Sequence, residues 1–197
     1  MTTALLSPIM QGSCPSFGVD AAAHFLNCWF RECEGLAELR YKMGDRMIQE
    51  FFALAYLDNM ARHAVALSSE GAEVYFGVAP RLERKGRKES VAQVPGLFCD
   101  LDFSSFEAGG IDALERLDGF SPKPTAIVHS SGGLHCYWRL KTPLPPTPQT
   151  RAMIRALVRE LGADPAATDL SRVLRIPGTW SWKRDAPVRL LRCRCSI

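Results

Sequence analysis

The sequence predicts a mixed α/β fold in which one sheet carries the functional side chains. Helical and strand-like patterns alternate along the chain of 197 residues, and 47% of these residues are hydrophobic, which is enough to bury a core. Two acids, Asp100 and Asp102, interrupt an apolar run at a spacing of two residues, which places both side chains on one face of a strand. We therefore expect one domain, or two tightly joined subdomains, built around that strand.

The individual elements follow from capping residues, turn residues and hydrophobic periods. Asp20 can cap a helix over residues 21–33, a strand is expected at 36–41, and helical material follows up to about residue 68. Alternating apolar residues predict the remaining strands, which are 72–78, 96–103, 124–130, 134–140 and 172–176. Further helices are expected at 109–117 and at 148–161, the second beginning at Pro148 or Gln149 after a proline-rich connector.

The acid pair lies in the apolar run of residues 97–103. With a period of two, the side chains at odd positions face a core and both acids face the opposite side, with Cα atoms about 6 to 7 Å apart. Such a pair is costly on a buried strand unless a cation neutralises it, and carboxylate oxygens suit Mg²⁺ or Mn²⁺. The pair therefore indicates a metal site for phosphate chemistry. The alternative is that one acid caps a helix or pairs with a nearby arginine.

A hairpin with a glycine-containing turn follows the acid pair along the chain. Two strand-like runs meet at Ser130-Ser131-Gly132-Gly133, and His135 lies on the second run opposite the apolar face. Small residues in the turn leave backbone N–H groups free to bind an anion.

A third segment combines one acid with several cations. Asp169 is followed by Arg172, Arg175 and Lys183, in a short strand that ends at a Pro-Gly pair. This segment can supply a third metal ligand and a clamp for phosphate groups. Strand parity places Arg175 on the side of Asp169, but one irregular residue would favour Arg172 instead, so both remain candidates.

In this order, the three segments resemble the archaeo-eukaryotic primase superfamily, in particular the primase-polymerase domains (bifunctional DNA primase/polymerase) of plasmids and phages. Asp100 and Asp102 look like its first motif, the run from Ser131 to His135 like its second, and Thr168-Asp169 like its third. The run 172–179, with Lys183 beyond it, is similar to the nucleotide-contacting stretch of these domains. The resemblance spans about residues 20–190 and implies an RRM-like catalytic core sheet with an N-terminal α/β unit.

The resemblance implies template-directed nucleotidyl transfer, as by a DNA primase or DNA polymerase, in plasmid, phage or mobile-element replication. Joining a nucleoside triphosphate to a 3′-hydroxyl requires two divalent ions, for which Mg²⁺ or Mn²⁺ is expected. The expected metal ligands and catalytic residues are Asp100, Asp102 and Asp169. The expected nucleotide-binding residues are Ser131, Gly132, Gly133, His135, Arg172, Arg175 and Lys183. The alternative is a replication-initiator or nucleic-acid-binding module that keeps this fold without turnover.

Basic residues are concentrated in two segments, although the net charge is only +3. Residues 172–194 carry seven basic side chains against one acid, and a loop just before the acid strand carries five. Such patches attract a phosphate backbone, so we expect a single-stranded DNA template to contact this loop through Arg81, Arg84, Lys85, Arg87 and Lys88. The alternative is a solvated hairpin loop.

Other classes of protein fit the sequence less well. The seven cysteines include no matched pair of C-x₂-C motifs, so neither a zinc site nor a disulfide framework is expected. No apolar stretch approaches the ~20 residues of a membrane span, which predicts a soluble cytoplasmic protein. A haloacid-dehalogenase-type phosphatase would need a later acid pair, and a glycosyltransferase would not explain His135.

The domain boundaries are expected to be an N-terminal extension over residues 1–19 and a primase-polymerase catalytic domain over residues 20–197. A replicative helicase, in a separate chain or in a missing C-terminal region, is the further partner that the resemblance implies.

Overall fold

The computed structural model describes residues 15–194 and confirms the mixed α/β class. Most of the predicted N-terminal extension, and the last three residues of the predicted catalytic domain, lie outside these residues. The helices are α1 (Val19–Trp29), α2 (Leu57–Ser69), α3 (Gly110–Gly119) and α4 (Pro148–Leu161). The strands are β1 (Leu36–Met43), β2 (Arg46–Ala53), β3 (Glu73–Gly77), β4 (Val94–Asp102), β5 (Ala126–His129), β6 (Gly133–Leu144), β7 (Val173–Arg175), β8 (Trp180–Ser181), β9 (Ala186–Pro187) and β10 (Arg189–Cys193).

The first sheet is antiparallel and has the order β2-β1-β3-β7. Helices α1 and α2 pack against each other, and α2 also contacts β1 and β3. On β3, Val74 and Phe76 are buried, and the Phe76 ring lies 5.3 Å from the ring of Phe25 on α1. This sheet with its two helices forms the N-terminal α/β unit.

The second sheet is antiparallel, with the order β10-β5-β6-β4, so β4 is an edge strand. The register pairs Asp100 with His135 and Asp102 with Gly133. Helix α4 packs along β4, because its apolar face presents buried residues such as Ile154 and Leu161. The sheet therefore places Asp100 directly opposite His135, and Asp102 opposite the first residue of β6.

An aromatic cluster joins the two sheets. The ring of Tyr137 on β6 lies 5.0 Å from the rings of both Phe25 and Trp29, and 6.3 Å from Phe76. The face of β6 that carries His135 and Tyr137 is therefore packed between the sheets at one end.

The structure corrects two predictions about the N-terminal unit. The segment after β1 is not helical at first: residues 46–53 form β2, which pairs with β1 through a tight turn at Gly44 and Asp45. Gly44 has a φ of 58°, which glycine adopts without strain, and a Gly-Asp pair between strands favours a hairpin. Helix α1 ends at Trp29 rather than at residue 33.

The sequence predicted no disulfide framework, but a disulfide bond is present at Cys28. Cys28 is disulfide-bonded, whereas Cys33, Cys99 and Cys136 are not. Among the described residues, no helix is long and apolar enough to cross a membrane.

A buried ion pair shows that Arg81 is not part of a DNA-binding surface. The side chains of Arg81 and Glu38 are both 0% exposed, and Arg81 donates to Glu38 Oε2 over 2.6 and 2.9 Å. Arg81 also donates to the carbonyl oxygen of Ser171 over 3.2 Å. Arg40 pairs with the other carboxylate oxygen of Glu38. Because its guanidinium is enclosed in this network, Arg81 cannot reach a phosphate backbone, and that prediction is corrected.

Replacing Arg81 with methionine is expected to lower the free energy of unfolding by about 3 kcal/mol, because Glu38 then keeps a buried charge without one of its partners. Urea unfolding of the two proteins measures the difference. The double substitution Glu38→Met/Arg81→Met is expected to recover much of the loss. Arg84→Met, at an exposed position of the same loop, is the control and is expected to change stability by less than about 0.5 kcal/mol. An equally small effect of Arg81→Met would contradict the role assigned to the pair.

Candidate active site

The two acids of β4 lie on one face of an edge strand, at the point where the strand ends. Buried Cys99 and Leu101 alternate with the partly exposed Asp100 and Asp102, as the sequence predicted. After Asp102 the chain turns into a short 3₁₀ helix, and Oδ1 of Asp102 accepts hydrogen bonds from the Ser104 amide (2.9 Å) and hydroxyl (2.8 Å). These bonds hold the pKa of Asp102 below its ordinary value, so the carboxylate is ionised.

His135 is buried beside Asp100 and is held neutral. Its Nε2 lies 3.8 Å from Oδ1 of Asp100, too far for a hydrogen bond, and its Nδ1 has no hydrogen-bond partner. Burial lowers the pKa of His135 to about 4, although the charge of Asp100 acts in the opposite direction. At neutral pH the ring therefore has one N–H donor and no net charge.

The turn before His135 requires glycine at position 133, where the backbone of β4 leaves no room for a Cβ. A Cβ at Gly133 would lie 2.3 Å from the carbonyl oxygen of Leu101, and a Cβ at Gly132 would lie 3.2 Å from Nε of Arg184. Ser131 has a φ of 71°, in the left-handed region, and its hydroxyl donates to the carbonyl of Ser130. The turn is thus a tight backbone loop between the acid strand and Arg184.

The third acid is held by a cation of the basic loop. Asp169 accepts from the amide and the hydroxyl of Ser171, each over 2.8 Å, and its Oδ2 lies 2.7 Å from Nζ of Lys88. Partial burial raises the pKa of Asp169, but the bonds from Lys88 and Ser171 outweigh burial and leave the pKa below its ordinary value. Lys88 thus occupies a cation position next to the third predicted metal ligand.

The predicted metal ligands fit a divalent ion in part. Asp100 and Asp102 present carboxylate oxygens side by side, and only Oδ1 of Asp102 is engaged by Ser104. Across residues 15–194, however, no three His, Cys, Asp or Glu side chains are grouped so that they could hold a metal ion. The structure therefore brings the pair together and does not join Asp169 to it.

Both candidate arginines lower the pKa of His135, and each forms an ion pair with a different acid. Arg172 lies 3.7 Å from Asp164, and Arg175 lies 3.3 Å from Glu73. The charges of both guanidinium groups lower the pKa of His135.

Two residues that were not predicted contribute to the site: Arg184 adds a positive charge, and Glu73 holds the cationic segment in place. Arg184 acts with Lys183 to lower the pKa of Asp102, after the stronger effect of the Ser104 bonds. Glu73 accepts from the backbone N–H of Lys183 as well as from Arg175, and so fixes the position of this segment. The position of Arg184 next to Lys183 was the only sequence signal for it.

The exposed part of the basic loop is partly neutralised by its own acid. Glu83 lies 2.8 Å from Lys85 and 3.4 Å from Arg87, while Lys88 pairs with Asp169. Arg84 is exposed. Four of the five predicted DNA-contacting residues therefore lie at the surface.

A groove that was not predicted opens next to Asp102. It has a volume of about 740 Å³ and lies between the end of β4, helix α4 and the segment 163–168. Arg155 and Arg159 of α4 line it, together with Asp164.

Known proteins share this fold. The AEP domain of the cyanophage S-2L primase-polymerase superposes with a TM-score of 0.69 and 15% identity, covering 93% of this chain and 94% of that domain. The catalytic domain of primase RepB′, in a complex with initiator DNA, gives a TM-score of 0.64 at 15% identity, over 90% of this chain and 86% of that one. At such identities the likeness establishes the fold.

Sequence comparison adds a family and a relative. An uncharacterized protein of Methanocaldococcus jannaschii, MJECL28, is 27% identical over 121 residues, which are 56% of this chain and 9% of that protein. The chain thus matches a small part of a much longer protein. Residues 73–195 match the model of the RepB DNA-primase N-terminal domain, and this range contains all three acid and histidine motifs.

With more than half of its length matched to that model, and with the sheet pairing of Asp100 and His135 in place, the chain belongs to the RepB DNA-primase N-terminal domain family and has the archaeo-eukaryotic primase fold that its motifs predicted.

Proposed function

We propose that this chain is a template-directed nucleotidyltransferase, a DNA primase or DNA polymerase that acts on single-stranded DNA during plasmid, phage or mobile-element replication. The observation that carries the proposal is the register of β4 and β6, which sets two partly exposed acids against a neutral histidine and a glycine turn. Membership of a DNA-primase family supports the same class of activity.

Asp100 and Asp102 are the proposed ligands of Mg²⁺ or Mn²⁺, with Asp169 as the third. Two such ions stabilise the attacking and leaving oxygens of an in-line displacement when they are bound. The protein's part is to hold the two carboxylates on a rigid strand, with Ser104 fixing one oxygen of Asp102. At Asp169, a metal ion would compete with Lys88 for Oδ2.

The incoming nucleoside triphosphate is proposed to lie between the turn and the cations. The N–H of neutral His135 and the backbone of Ser131, Gly132 and Gly133 are suited to donate to its phosphate oxygens. Positive charge comes from Lys183 and from Arg172 or Arg175, to which the structure adds Arg184.

The single-stranded DNA template is proposed to contact the exposed members of the basic loop, Arg84, Lys85, Arg87 and Lys88. The complex of the RepB′ catalytic domain with initiator DNA supports DNA as the partner. A replicative helicase in another chain or in a further region remains a proposed partner.

A second function is favoured by one observation. Among residues 15–194, no three potential metal ligands lie together, and Asp169 is paired with Lys88. The alternative is therefore a replication initiator that binds DNA without turnover.

Replacing Asp100 and Asp102 together with asparagine is expected to reduce nucleotide incorporation by at least about a hundredfold, because the pair loses the charge that holds the metal ions. Labelled nucleotides, single-stranded DNA and Mg²⁺ or Mn²⁺, with and without a primer, provide the measurement. Asp45→Asn, in the exposed turn between β1 and β2, is the matched control and should keep full activity. DNA binding without incorporation by the unaltered protein would establish the initiator alternative instead.

The neutral state of His135 predicts a dependence of stability on pH. The unfolded chain binds a proton at this histidine as the pH falls below about 6.5, whereas the folded chain does so only near pH 4. The free energy of unfolding should therefore fall by about 2 kcal/mol between pH 7.5 and pH 5 on account of this group. Urea unfolding of the unaltered protein and of His135→Asn, across this range and without metal, measures the contribution. Parallel curves for the two proteins would show that His135 is not held neutral.

Removing the ammonium group of Lys88 is expected to ease metal binding, because Asp169 loses its competing cation. For Lys88→Ala we expect the Mn²⁺ or Mg²⁺ concentration at half-maximal activity to fall about two- to fivefold, since exposed ion pairs contribute less than about 1 kcal/mol. Lys85→Ala, which breaks the pair with Glu83 instead, is the control for lost charge in the same loop. An equal shift in both variants would assign the effect to loop charge rather than to Asp169.

A further inference from the structure

The groove beside Asp102 is lined by two arginines that the proposed nucleotide site does not use. Arg155 and Arg159 are exposed and lie one turn apart on the same face of α4. Arg116 of α3 reaches the rim, because a Cβ at Gly162 would lie 3.1 Å from its Nη1. Two arginines thus line the groove and a third lies at its rim.

These arginines are available to a ligand. Within residues 15–194, Arg155 and Arg159 have no acidic partner. Asp164, which also lines the groove, is 3.7 Å from Arg172 and so shares its charge with that side chain. The cavity of about 740 Å³ is also lined by Asp102 and by apolar side chains, so Arg155 and Arg159 are the groups in it that suit phosphate oxygens.

The groove and the glycine turn lie on opposite sides of the acid strand. β4 is the edge strand, with β6, His135 and the turn along one side. On the other side, the amide of Asp164 donates to the carbonyl oxygen of Asp100 over 2.9 Å, which places the segment 163–168 along the free edge. Asp102 therefore stands between the turn and the groove.

We propose that the groove binds the phosphates of the nucleotide or strand that supplies the attacking 3′-hydroxyl. This inference rests on the proposed function. In the reaction, the 3′-oxygen forms a bond to the α-phosphorus, the bond from that phosphorus to the β-phosphate bridging oxygen breaks, pyrophosphate leaves, and the hydroxyl proton passes to solvent. In-line attack puts the entering and leaving oxygens on opposite sides of the phosphorus. With the triphosphate at the turn, the 3′-hydroxyl has to come from the side of the groove.

Substituting the two arginines of α4 tests the proposal through DNA binding alone, with no reaction taking place. In the absence of nucleotides, Arg155→Ala/Arg159→Ala is expected to bind a primed template about tenfold more weakly. The slope of log affinity against log salt concentration should become shallower by roughly 1 to 2. The affinity for the unprimed template should be unchanged. Fluorescence anisotropy with a labelled template, with and without an annealed primer, measures both affinities. Arg151→Ala, one turn earlier on α4 and outside the groove lining, is the matched control. Arg155→Lys/Arg159→Lys should retain most of the affinity, because it keeps the charge.

Three results would overturn the proposal: an equal loss for primed and unprimed template, no loss for either, or no preference of the unaltered protein for the primed substrate. These results are read from binding, so they are distinct from a failure of the proposed function, which would appear as no incorporation by the unaltered protein. Two measurements of KM identify the molecule that supplies the 3′-hydroxyl. A raised KM for primer assigns the groove to a primer strand, and a raised KM for the initiating nucleotide in unprimed reactions assigns it to the first nucleotide. The KM for the incoming nucleotide, measured with saturating primer, should be unchanged.

Discussion

The buried ion pair between Glu38 and Arg81 fixes the relation between the N-terminal sheet and the third acidic segment. Arg81 is held at its backbone by Leu36 and at its side chain by Glu38 and the carbonyl of Ser171. The loop that carries Lys88 is therefore anchored to β1 and to the turn after Asp169 at once. Gly86 leaves room for this network, since a Cβ there would lie 2.3 Å from Oε1 of Glu38. The Glu38–Arg81 pair, which lies outside the acid strand, thus helps to position Lys88 next to Asp169.

The aromatic cluster packs on the face of β6 that carries His135. Tyr137, two residues along β6 on the same face, is enclosed by Phe25 and Trp29 of α1. That packing buries the face of β6 on which His135, itself 3% exposed, also lies. Burial holds the imidazole neutral, and the contacts of α1 with Tyr137 are part of the packing on that face of β6.

Local patterns predicted what local geometry determines. The acid strand, the hairpin at Ser131 and the helix beginning at Pro148 were predicted because each is set by a short period or a turn residue. Arg81 was placed on the DNA surface because its partner Glu38 lies 43 positions earlier and nothing in the loop sequence reveals it. The groove likewise was not predicted, since it forms only when α4 and the segment 163–168 meet the free edge of β4.

The edge position of β4 leaves its pair of acids open to two phosphate-bearing substrates in the proposed reaction. A strand in the middle of a sheet has neighbours on both sides, so its polar side chains can be approached only from above or below. β4 has β6 on one side, with the turn and the nearby cations, and an open side that borders the arginines of α4. The backbone bond from Asp164 to Asp100 covers that edge where the strand is buried and stops short of Asp102. Because the strand ends there, the same carboxylate faces both approaches, as the proposed in-line transfer requires.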